Sequence, residues 1–400
     1  MVYKTAIQKT HLIIESLCAT IFILLIVFII SFIPFKYEFL KVLRQGFLDI
    51  DIYDLYYSGR DDPTHRDGNI VLVELASERD SIGKQINIIN NQHPSVIGID
   101  AIFERHKNSL QDSILVHAIG NAKNIVLSTR IFNKDSIVKN FFDTNAKRYT
   151  SGYTNFFGGP YSVIRNYVPF TECKKEKYYS FTSRIAEVYS PTKFKKLKDR
   201  SNNLELINYA GNLEHYTALS LEEMHYYEST GQLSYLFRNK IVLLGFFKKQ
   251  PPLVLEDLYF SPLNKQPVGK TYPDIYGVVV HANILSMILS QKYASLAPEI
   301  VSYVCSYIIT FFLLFYILKE HSIRKHPNHL KFLLIQLIVI IIVSYLLLQI
   351  YHGFRLKVPL LPIIVSLVIC VELFELYKIL AVWLHKKWNY QTIFKSKHSI

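Results

Sequence analysis

Four long apolar stretches constrain this chain more than any other feature of its sequence. They run from about residue 12 to 33, from 300 to 318, from 332 to 351, and onward from about 358. Each approaches or reaches the ~18 residues that a helix needs to cross a bilayer. Half of the 400 residues are hydrophobic and only 19% are charged, against about 25% in soluble domains. The sequence therefore predicts an integral membrane protein and excludes a disordered or purely soluble one.

The charges beside these stretches predict how the chain is threaded. Lys and Arg outnumber Asp and Glu by 45 to 32, and basic residues gather in the loop at 319–331 and after the fourth stretch. By the positive-inside rule, both termini and that loop lie in the cytoplasm, and residues 36–298 are extracytoplasmic. Because the basic excess flanks the spans and forms no Arg-rich stripe, nucleic-acid binding is disfavoured.

These signals divide the chain into four parts. We predict a cytoplasmic tail and first transmembrane helix at 1–35, an extracytoplasmic domain at 36–298, three transmembrane helices at 299–385 and a short cytoplasmic tail at 386–400. The first helix is interpreted as an uncleaved anchor, since its exit lacks a small-x-small cleavage pattern. Cys173 is the sole cysteine of the large domain. The domain therefore depends on its hydrophobic core, without an internal disulfide.

Strand-like and helical patterns alternate inside the large domain. Apolar runs rich in branched residues indicate strands at 69–75, 94–103, 124–130, 204–209 and 239–245. Helical spacing occupies 81–92 and 110–119 between the first three runs. Strands that are apolar on both faces imply a mainly parallel sheet with helices on both faces. The predicted fold class is α/β, with one transmembrane helix before the domain and three after it.

The last predicted helix of the domain, Tyr276 to Gln291, has an amphipathic pattern and almost reaches the second apolar stretch. Only Lys292 to Glu299 separates the two. A shift of this helix against the sheet is therefore expected to reach the membrane helices, which favours signal transmission.

The fourth apolar stretch is interrupted by Glu372, Glu375 and Lys378, three residues apart on one helical face. One interpretation is a helix that leaves the bilayer and continues as an amphipathic cytoplasmic segment. A second is a charged face turned toward a partner helix, which makes these three residues candidates for partner docking. A third is a helix end whose side chains snorkel into the interface.

A set of motifs, in this order along the chain, resembles the type-two CHASE domain, an extracellular sensory module of bacterial signalling proteins. The motifs are Asp54-Leu-Tyr-Tyr, IVLVELASERDSIG at 70–83, Val96-Ile-Gly-Ile-Asp100, Asn124-Ile-Val-Leu, Gly152-Tyr153 with Arg165, Ile207-Asn-Tyr-Ala-Gly211, FRNKIVLLG at 237–245, Glu256-Asp257 with Ser261-Pro262, and Pro273 with His281-Ala282-Asn283. The resemblance covers about residues 36–295 and includes the arrangement of one span, a domain and three spans.

The resemblance implies a receptor input domain in a bacterial inner (plasma) membrane. Most family members carry a cytoplasmic cyclase or kinase after the last span. Here Ile400 follows soon after the fourth stretch. We therefore expect no catalytic output on this chain, and a separate effector or membrane partner.

The search for enzyme chemistry finds little. Phe156 to Pro160 contains paired glycines but lacks the Lys and the strand–helix context of a phosphate-binding loop, and is read as a turn. His321, His326 and His329 lie among basic residues without acidic or Cys co-ligands, which favours a solvated basic loop over a metal site. Ser128, Ser261 and Cys173 sit in no nucleophile motif. We predict a non-enzyme that needs no cofactor or metal.

Four polar residues of the domain are candidates for ligand binding, and each has an alternative structural role. Asp100 follows a buried strand, at the sheet edge where α/β folds bind ligands, but it could cap the next segment. Arg165 could clamp an anion or pair with a domain carboxylate. Asp257 stands in a loop and could instead stabilise a turn. His281 could act as a pH-sensitive group or be satisfied by neighbouring backbone.

Together these features predict a membrane-anchored sensory or receptor protein that responds to an unknown small ligand or envelope protein outside the cell. A homo-oligomer is left open. One alternative is a structural or assembly subunit of a cell-envelope membrane complex, and another is a membrane-anchored enzyme with its site on the α/β domain.

Overall fold

The computed structural model describes residues 2–31, 51–58, 66–133, 136–142, 149–156, 162–249, 257–265, 272–324 and 327–396. The chain folds as two compact units. One comprises residues 49–294, and the other comprises residues 1–48 with 295–400. The larger unit, at 49–294, lies within the segment 36–298 that the sequence predicts to be extracytoplasmic.

The larger unit contains a seven-stranded sheet with six parallel strands in the spatial order β10-β1-β11-β2-β3-β5, and β4 pairs antiparallel with β3. These strands are β1 (Asp67–Glu74), β2 (Val96–Ile99), β3 (Ile125–Asn133), β4 (Ser136–Val138), β5 (Thr150–Tyr153), β10 (Tyr216–Leu219) and β11 (Ile241–Gly245). The remaining strands, each two to four residues long, form four separate pairs: β6 (Asn166–Tyr167) with β9 (Glu205–Leu206), β7 (Phe170–Cys173) with β8 (Glu176–Tyr179), β12 (Leu258–Tyr259) with β13 (Ile275–Tyr276), and β14 (Ser295–Leu296) with β15 (Leu356–Lys357). The last of these pairs belongs to the smaller unit.

Helices cover both faces of this sheet. The helices of the larger unit are α2 (Asp54–Ser58), α3 (Arg79–Asn90), α4 (Ser109–Asn121), α5 (Phe181–Tyr189), α6 (Pro191–Asp199), α7 (Leu221–Ser229), α8 (Leu233–Phe237) and α9 (Gly277–Ser290). One core joins α3, α4, α7 and α8 to alternate side chains of the central strands. The opposite face packs on α5 and α9. The α/β class with helices on both faces is confirmed.

Local sequence explains where several helices begin. The Asn108 side chain accepts hydrogen bonds from the backbone N–H groups of Leu110 and Gln111 at the start of α4. Ser220 and Glu223 form a capping box at the start of α7, which satisfies two backbone donors reciprocally. Central strands such as β11 are buried along their whole length, as expected for parallel strands covered on both sides.

One prediction about this unit holds only in part and one is wrong. The run at 204–209 contains a strand, but it is the short β9, which pairs antiparallel with β6 outside the main sheet. Helix α9 is not amphipathic, because every residue from Gly277 to Leu289 is buried. Two of its polar residues have internal partners: Ser286 donates to Asp67, and Asn283 accepts from the N–H of Ala210 at 2.7 Å and donates to the carbonyl of Gly211 at 2.9 Å.

The smaller unit consists of α1 (Val2–Ser31), α10 (Glu299–Ile323), α11 (His329–Phe354), α12 (Leu361–Val368) and α13 (Cys370–Trp388). Among the described residues, three helices are long and apolar enough to cross a membrane, at Thr10–Ile29, Glu299–Ile323 and His329–Phe354. The predicted fourth span is not a single helix, since the helix is interrupted at Ile369, between α12 and α13. Whether it crosses the membrane stays a prediction.

Polar side chains hold this helical unit together at a few points. The Gln336 amide of α11 bridges the break, donating to the Val368 carbonyl at 3.0 Å and accepting from the Val371 N–H at 3.3 Å. The buried Glu15 carboxylate of α1 accepts from the hydroxyls of Tyr377 at 3.1 Å and Thr392 at 2.9 Å. An ionisable group inside an apolar helix therefore has partners that link it to α13 and the C-terminal segment.

Candidate functional site

A cleft of about 510 Å³ opens at the carboxyl edge of the parallel sheet. It collects residues that follow or end five strands, because parallel strands all present their carboxyl ends to the same edge. Its lining comprises Leu75, Asp100, Ala101, Ile102, Glu104, Arg130, Thr154, Asn155, Phe156, Phe246, Asp257, Tyr259 and His281. This is the edge at which open α/β sheets bind ligands.

Three of the four predicted ligand-binding residues meet in this cleft. Asp100 follows β2, Asp257 precedes β12, and His281 lies in the second turn of α9. The closeness of β11 and α9 depends on Gly245, since a Cβ at that position would lie 2.6 Å from the Cβ of Val278. The absence of a side chain at the end of β11 therefore lets α9 approach the sheet and bring His281 to the cleft.

His281 and Asp100 form the buried floor of the cleft. The His281 Nε2 atom lies 3.7 Å from Asp100 Oδ2, and the two side chains are 5% and 13% exposed. That separation is too long for a hydrogen bond. Neither ring nitrogen of His281 has a hydrogen-bond partner among the described residues. The imidazole of His281 is thus buried at the floor of the cleft without the hydrogen-bond partner that buried polar groups normally have.

Aromatic rings fix the orientation of the imidazole. Phe156 stacks on it with 4.7 Å between ring centroids, and Phe181 of α5 meets it edge-on at 5.3 Å. Apolar neighbours on two sides explain why the nitrogens lack protein partners. They also keep the ring from turning away to find one.

Burial sets the charge state of both groups. It lowers the pKa of His281 to about 3, so the imidazole is neutral near pH 7 and does not form an ion pair with Asp100 despite their proximity. Burial also raises the pKa of Asp100 to about 6, opposed by the hydroxyl of Ser128 and the charge of Arg130. Above that pH the cleft holds a carboxylate that the protein compensates only in part.

Asp257 lines the cleft and lies beside the first residue of α9. Its backbone lies in the left-handed region, with φ +58°, and its carbonyl accepts from the N–H of Gly277 at 3.1 Å. A Cβ on Gly277 would lie 2.8 Å from an oxygen of the Asp257 carboxylate. This carboxylate therefore lies against the first turn of α9, where the helix dipole favours negative charge.

Arg165 lies elsewhere, in an ion pair with Asp54. Its Nε and Nη2 atoms contact the two carboxylate oxygens at 2.9 and 2.5 Å, with side chains 15% and 7% exposed. This fork geometry links the segment before β6 to α2. The structure thus shows Arg165 in the alternative role, a pair with a domain carboxylate, and does not bring it to the cleft.

Sequence reasoning missed several residues of the cleft. Arg130, Glu104 and Tyr259 line it together with the rings of Phe156 and Phe246. Arg130 was already part of a predicted strand, and Glu104 follows Asp100 closely, so the rule that located Asp100 at the sheet edge could have found both. The segment 157–161, read as a turn from its paired glycines, lies outside the described residues.

A second cleft of about 490 Å³ contains none of the predicted residues. Arg66, Asp67, Asn208, His215 and Lys292 are among its lining. Asp67 begins β1, so this cleft lies toward the opposite edge of the sheet from His281. The hydroxyl of Ser286 on α9 donates to the Asp67 carboxylate, which ties α9 to that edge.

The three partner-docking candidates lie on α13. Lys378 contacts Glu375 at 3.4 Å, and His329 of α11 lies 3.9 Å from Glu372. Glu372 is exposed, whereas Glu375 and Lys378 are half-buried. The charged face is therefore partly engaged within the chain and partly open.

No group of three or more His, Cys, Asp or Glu side chains suited to a metal ion occurs among the described residues. His326 lies outside those residues. His321 is not part of a solvated loop: it belongs to α10, its Nδ1 lies 3.0 Å from the Ile317 carbonyl, and its ring stacks on Phe332.

The described part of the chain thus combines a mainly parallel α/β domain, with a polar cleft at its carboxyl edge, and three helices that are long and apolar enough to cross a membrane. Comparison with protein families identifies it further, since the CHASE2 domain matches residues 22–318. The chain belongs to the CHASE2 domain family, which is a family of extracytoplasmic sensory domains. Neither a curated protein nor a solved structure matches it.

Proposed function

We propose that this protein is a membrane-anchored receptor whose extracytoplasmic domain senses a ligand in the Asp100–His281 cleft and which carries no catalytic output of its own. The observation that supports the proposal best is the imidazole of His281, which lines the cleft beside a carboxylate and whose two nitrogens are buried without a described partner. A ligand that satisfies these groups would favour one packing of α9 over another.

The path of the chain supports transmission from this cleft. Residues 291–298 alone separate α9 from α10. Within the smaller unit, β14 of this linker pairs in parallel with β15, which lies between α11 and α12. The Ser295 N–H donates to the Arg355 carbonyl and the Ala297 N–H donates to the Lys357 carbonyl, both at 2.8 Å. A displacement of the linker would therefore act on α10 and on the α11–α12 connection together.

The protein is a multi-pass protein of the bacterial inner membrane with both termini in the cytoplasm. A separate effector supplies the output and docks on the face of α13 that bears Glu372, Glu375 and Lys378. Glu375→Ala would weaken recovery of that effector on affinity purification, whereas Tyr345→Ala, on an exposed part of α11, serves as the matched control.

Hydrogen–deuterium exchange of the full-length protein in nanodiscs tests the sensory role. The protein would be incubated with a small-molecule fraction of periplasmic extract, and with the same fraction after exhaustive dialysis. A sensor shows slower exchange in residues 100–104 and 154–156, together with a change in residues 291–298, and Asp100→Asn removes both effects. A structural subunit shows no response to the small-molecule fraction and responds only to envelope proteins.

A further inference from the structure

The cleft has an excess of negative charge. Asp100, Glu104 and Asp257 contribute carboxylates, and Arg130 is the single cation among the described residues that line it. His281 is neutral near pH 7, as its lowered pKa requires. Glu104 and Arg130 are exposed at the rim, whereas Asp100 lies deep in the cleft. An anionic ligand without a positive group would meet three carboxylates there and is disfavoured.

The deep part of the cleft needs hydrogen-bond donors. A neutral imidazole carries one N–H, so one of the two His281 nitrogens is an acceptor, and neither nitrogen has a partner among the described residues. Among described contacts, the Asp100 side chain receives one hydrogen bond, from the Ser128 hydroxyl at 3.3 Å. In the tautomer that carries its proton on Nδ1, the His281 Nε2 atom is an acceptor 3.7 Å from Asp100 Oδ2, and a single group with several N–H bonds serves both atoms.

The aromatic walls of the cleft also suit a positively charged group that carries several N–H bonds. Rings of Phe156, Phe246 and Tyr259 line the cleft, and the faces of aromatic rings attract organic cations. A bare metal ion is a weaker match, because no metal-holding group of His, Cys, Asp and Glu occurs in the described part of the chain. The volume of about 510 Å³ lies in the range of small-molecule sites.

We propose that the cleft binds a small organic molecule through its primary ammonium group, which donates to Asp100 and His281 while its carbon skeleton packs on the aromatic wall. This inference rests on the proposed sensory function and specifies the ligand class. Arg130 at the rim lies where it can contact a carboxylate on the same molecule, so free amines and amino acids are the two sources of the ammonium group.

Isothermal titration calorimetry of the full-length protein in nanodiscs tests the ligand class. The probes are the common amino acids, putrescine and simple monoamines, each compared with a carboxylic acid or alcohol of the same skeleton that lacks nitrogen. We expect at least one ammonium probe to bind and its nitrogen-free counterpart to bind at least about tenfold more weakly, as loss of a charge-assisted hydrogen bond requires.

Variants locate the binding and separate the sources. Asp100→Asn keeps the shape of the side chain and would weaken binding by about tenfold to a hundredfold. Glu104→Gln lies at the exposed rim, where it does not disturb folding, and would weaken binding about twofold through charge alone. Arg130→Gln would weaken binding of an amino acid but not of an amine.

Three results would overturn the inference. If no ammonium probe binds at millimolar concentration while the extract still changes exchange in residues 100–104, the ligand belongs to another class and the sensory proposal survives. If an ammonium probe binds equally well to wild type, Asp100→Asn and Glu104→Gln, its site is not this cleft. Absence of any response to either extract or probes contradicts both proposals.

Discussion

The Nε2 atom of His281 lies 3.7 Å from Oδ2 of Asp100, although 181 positions separate the two residues in the sequence. The sheet brings them together, since Asp100 directly follows β2 while α9 packs across β1 and β11. It places an imidazole whose pKa is lowered by burial beside a carboxyl group whose pKa is raised by burial. This pairing gives the cleft a distinctive response to pH.

The stability of the domain should depend on pH through both groups, with opposite signs. The folded state holds a proton on Asp100 up to a pKa of about 6, against 3.8 normally, so this group lowers the free energy of unfolding as pH rises from about 4 to 6. His281 has a folded pKa of about 3, against 6.5 normally, so it raises that free energy over the same range.

Asp100→Asn removes the first contribution and leaves the second. Between about pH 4 and 6, the free energy of unfolding of the variant should rise relative to wild type by up to about 1.4 kcal/mol per pH unit. Asp274, whose pKa burial also raises to about 6, is present in both proteins and cancels in the comparison. Urea unfolding followed by circular dichroism measures this difference, and parallel pH curves for the two proteins would refute the assigned shift.

Arg165→Ala should destabilise the domain by about 3 kcal/mol, because it leaves the buried Asp54 carboxylate without its charged partner. Lys84→Ala breaks an ion pair with Asp80 on the exposed surface of α3 and is the matched control. Its effect should stay within about 0.5 kcal/mol. Pulse proteolysis across a urea series measures both, and similar losses for the two variants would contradict a structural role for Arg165.

Gly98→Ala should destabilise the domain by about 1–3 kcal/mol through overpacking. A Cβ at this position of β2 would lie 2.7 Å from Ile185 Cδ1 and 2.8 Å from Leu243 Cδ2. Gly120 in α4 has nothing within 4 Å of its added Cβ, so Gly120→Ala should instead stabilise the helix by about 0.5–1 kcal/mol. The same urea series measures the free energy of unfolding of both variants. A change of the same sign in the two would contradict the close packing of α5 on β2.

The proposed topology predicts which cysteines react from outside the cell. Tyr235→Cys places a thiol at a site that is 85% exposed in the domain, and Ile323→Cys places one at a 70% exposed site at the end of α10 that the proposal assigns to the cytoplasm. A membrane-impermeant maleimide should label the first in intact spheroplasts and the second only after permeabilisation. The parent protein, whose four cysteines are buried or half-buried, gives the background. The reverse pattern would invert the topology.

Much of the fold follows from local sequence signals. Four of the six parallel strands, β1, β2, β3 and β11, lie close to where hydrophobic periodicity predicts them, as do helices α3 and α4, because buried strands and capped helices carry strong local patterns. The other two, β5 and β10, were not predicted. The edge rule for parallel sheets placed Asp100 correctly, and Asp257 and His281 lie with it. These three could be found because each lies beside an element that the sequence already marks.

The rest depends on contacts between distant segments. Nothing near Arg165 indicates that its partner is Asp54, 111 positions earlier. The pattern of α9 looked amphipathic because its polar residues resemble a solvent face, whereas Asn283 and Ser286 bind other buried segments. The break at Ile369 falls in an apolar run, and the Gln336 side chain that bridges it comes from another helix. Tertiary structure decides each of these features.

Native mass spectrometry of the full-length protein, released from the membranes in which it is made, tests the sensory cleft most directly. The account predicts one small molecule bound per chain of wild type, lost from Asp100→Asn and from His281→Gln, and retained by His106→Gln at an exposed position of the same domain. A small molecule held equally by all four proteins would contradict a ligand site at His281 and Asp100. So would a protein that carries envelope subunits and never a small molecule.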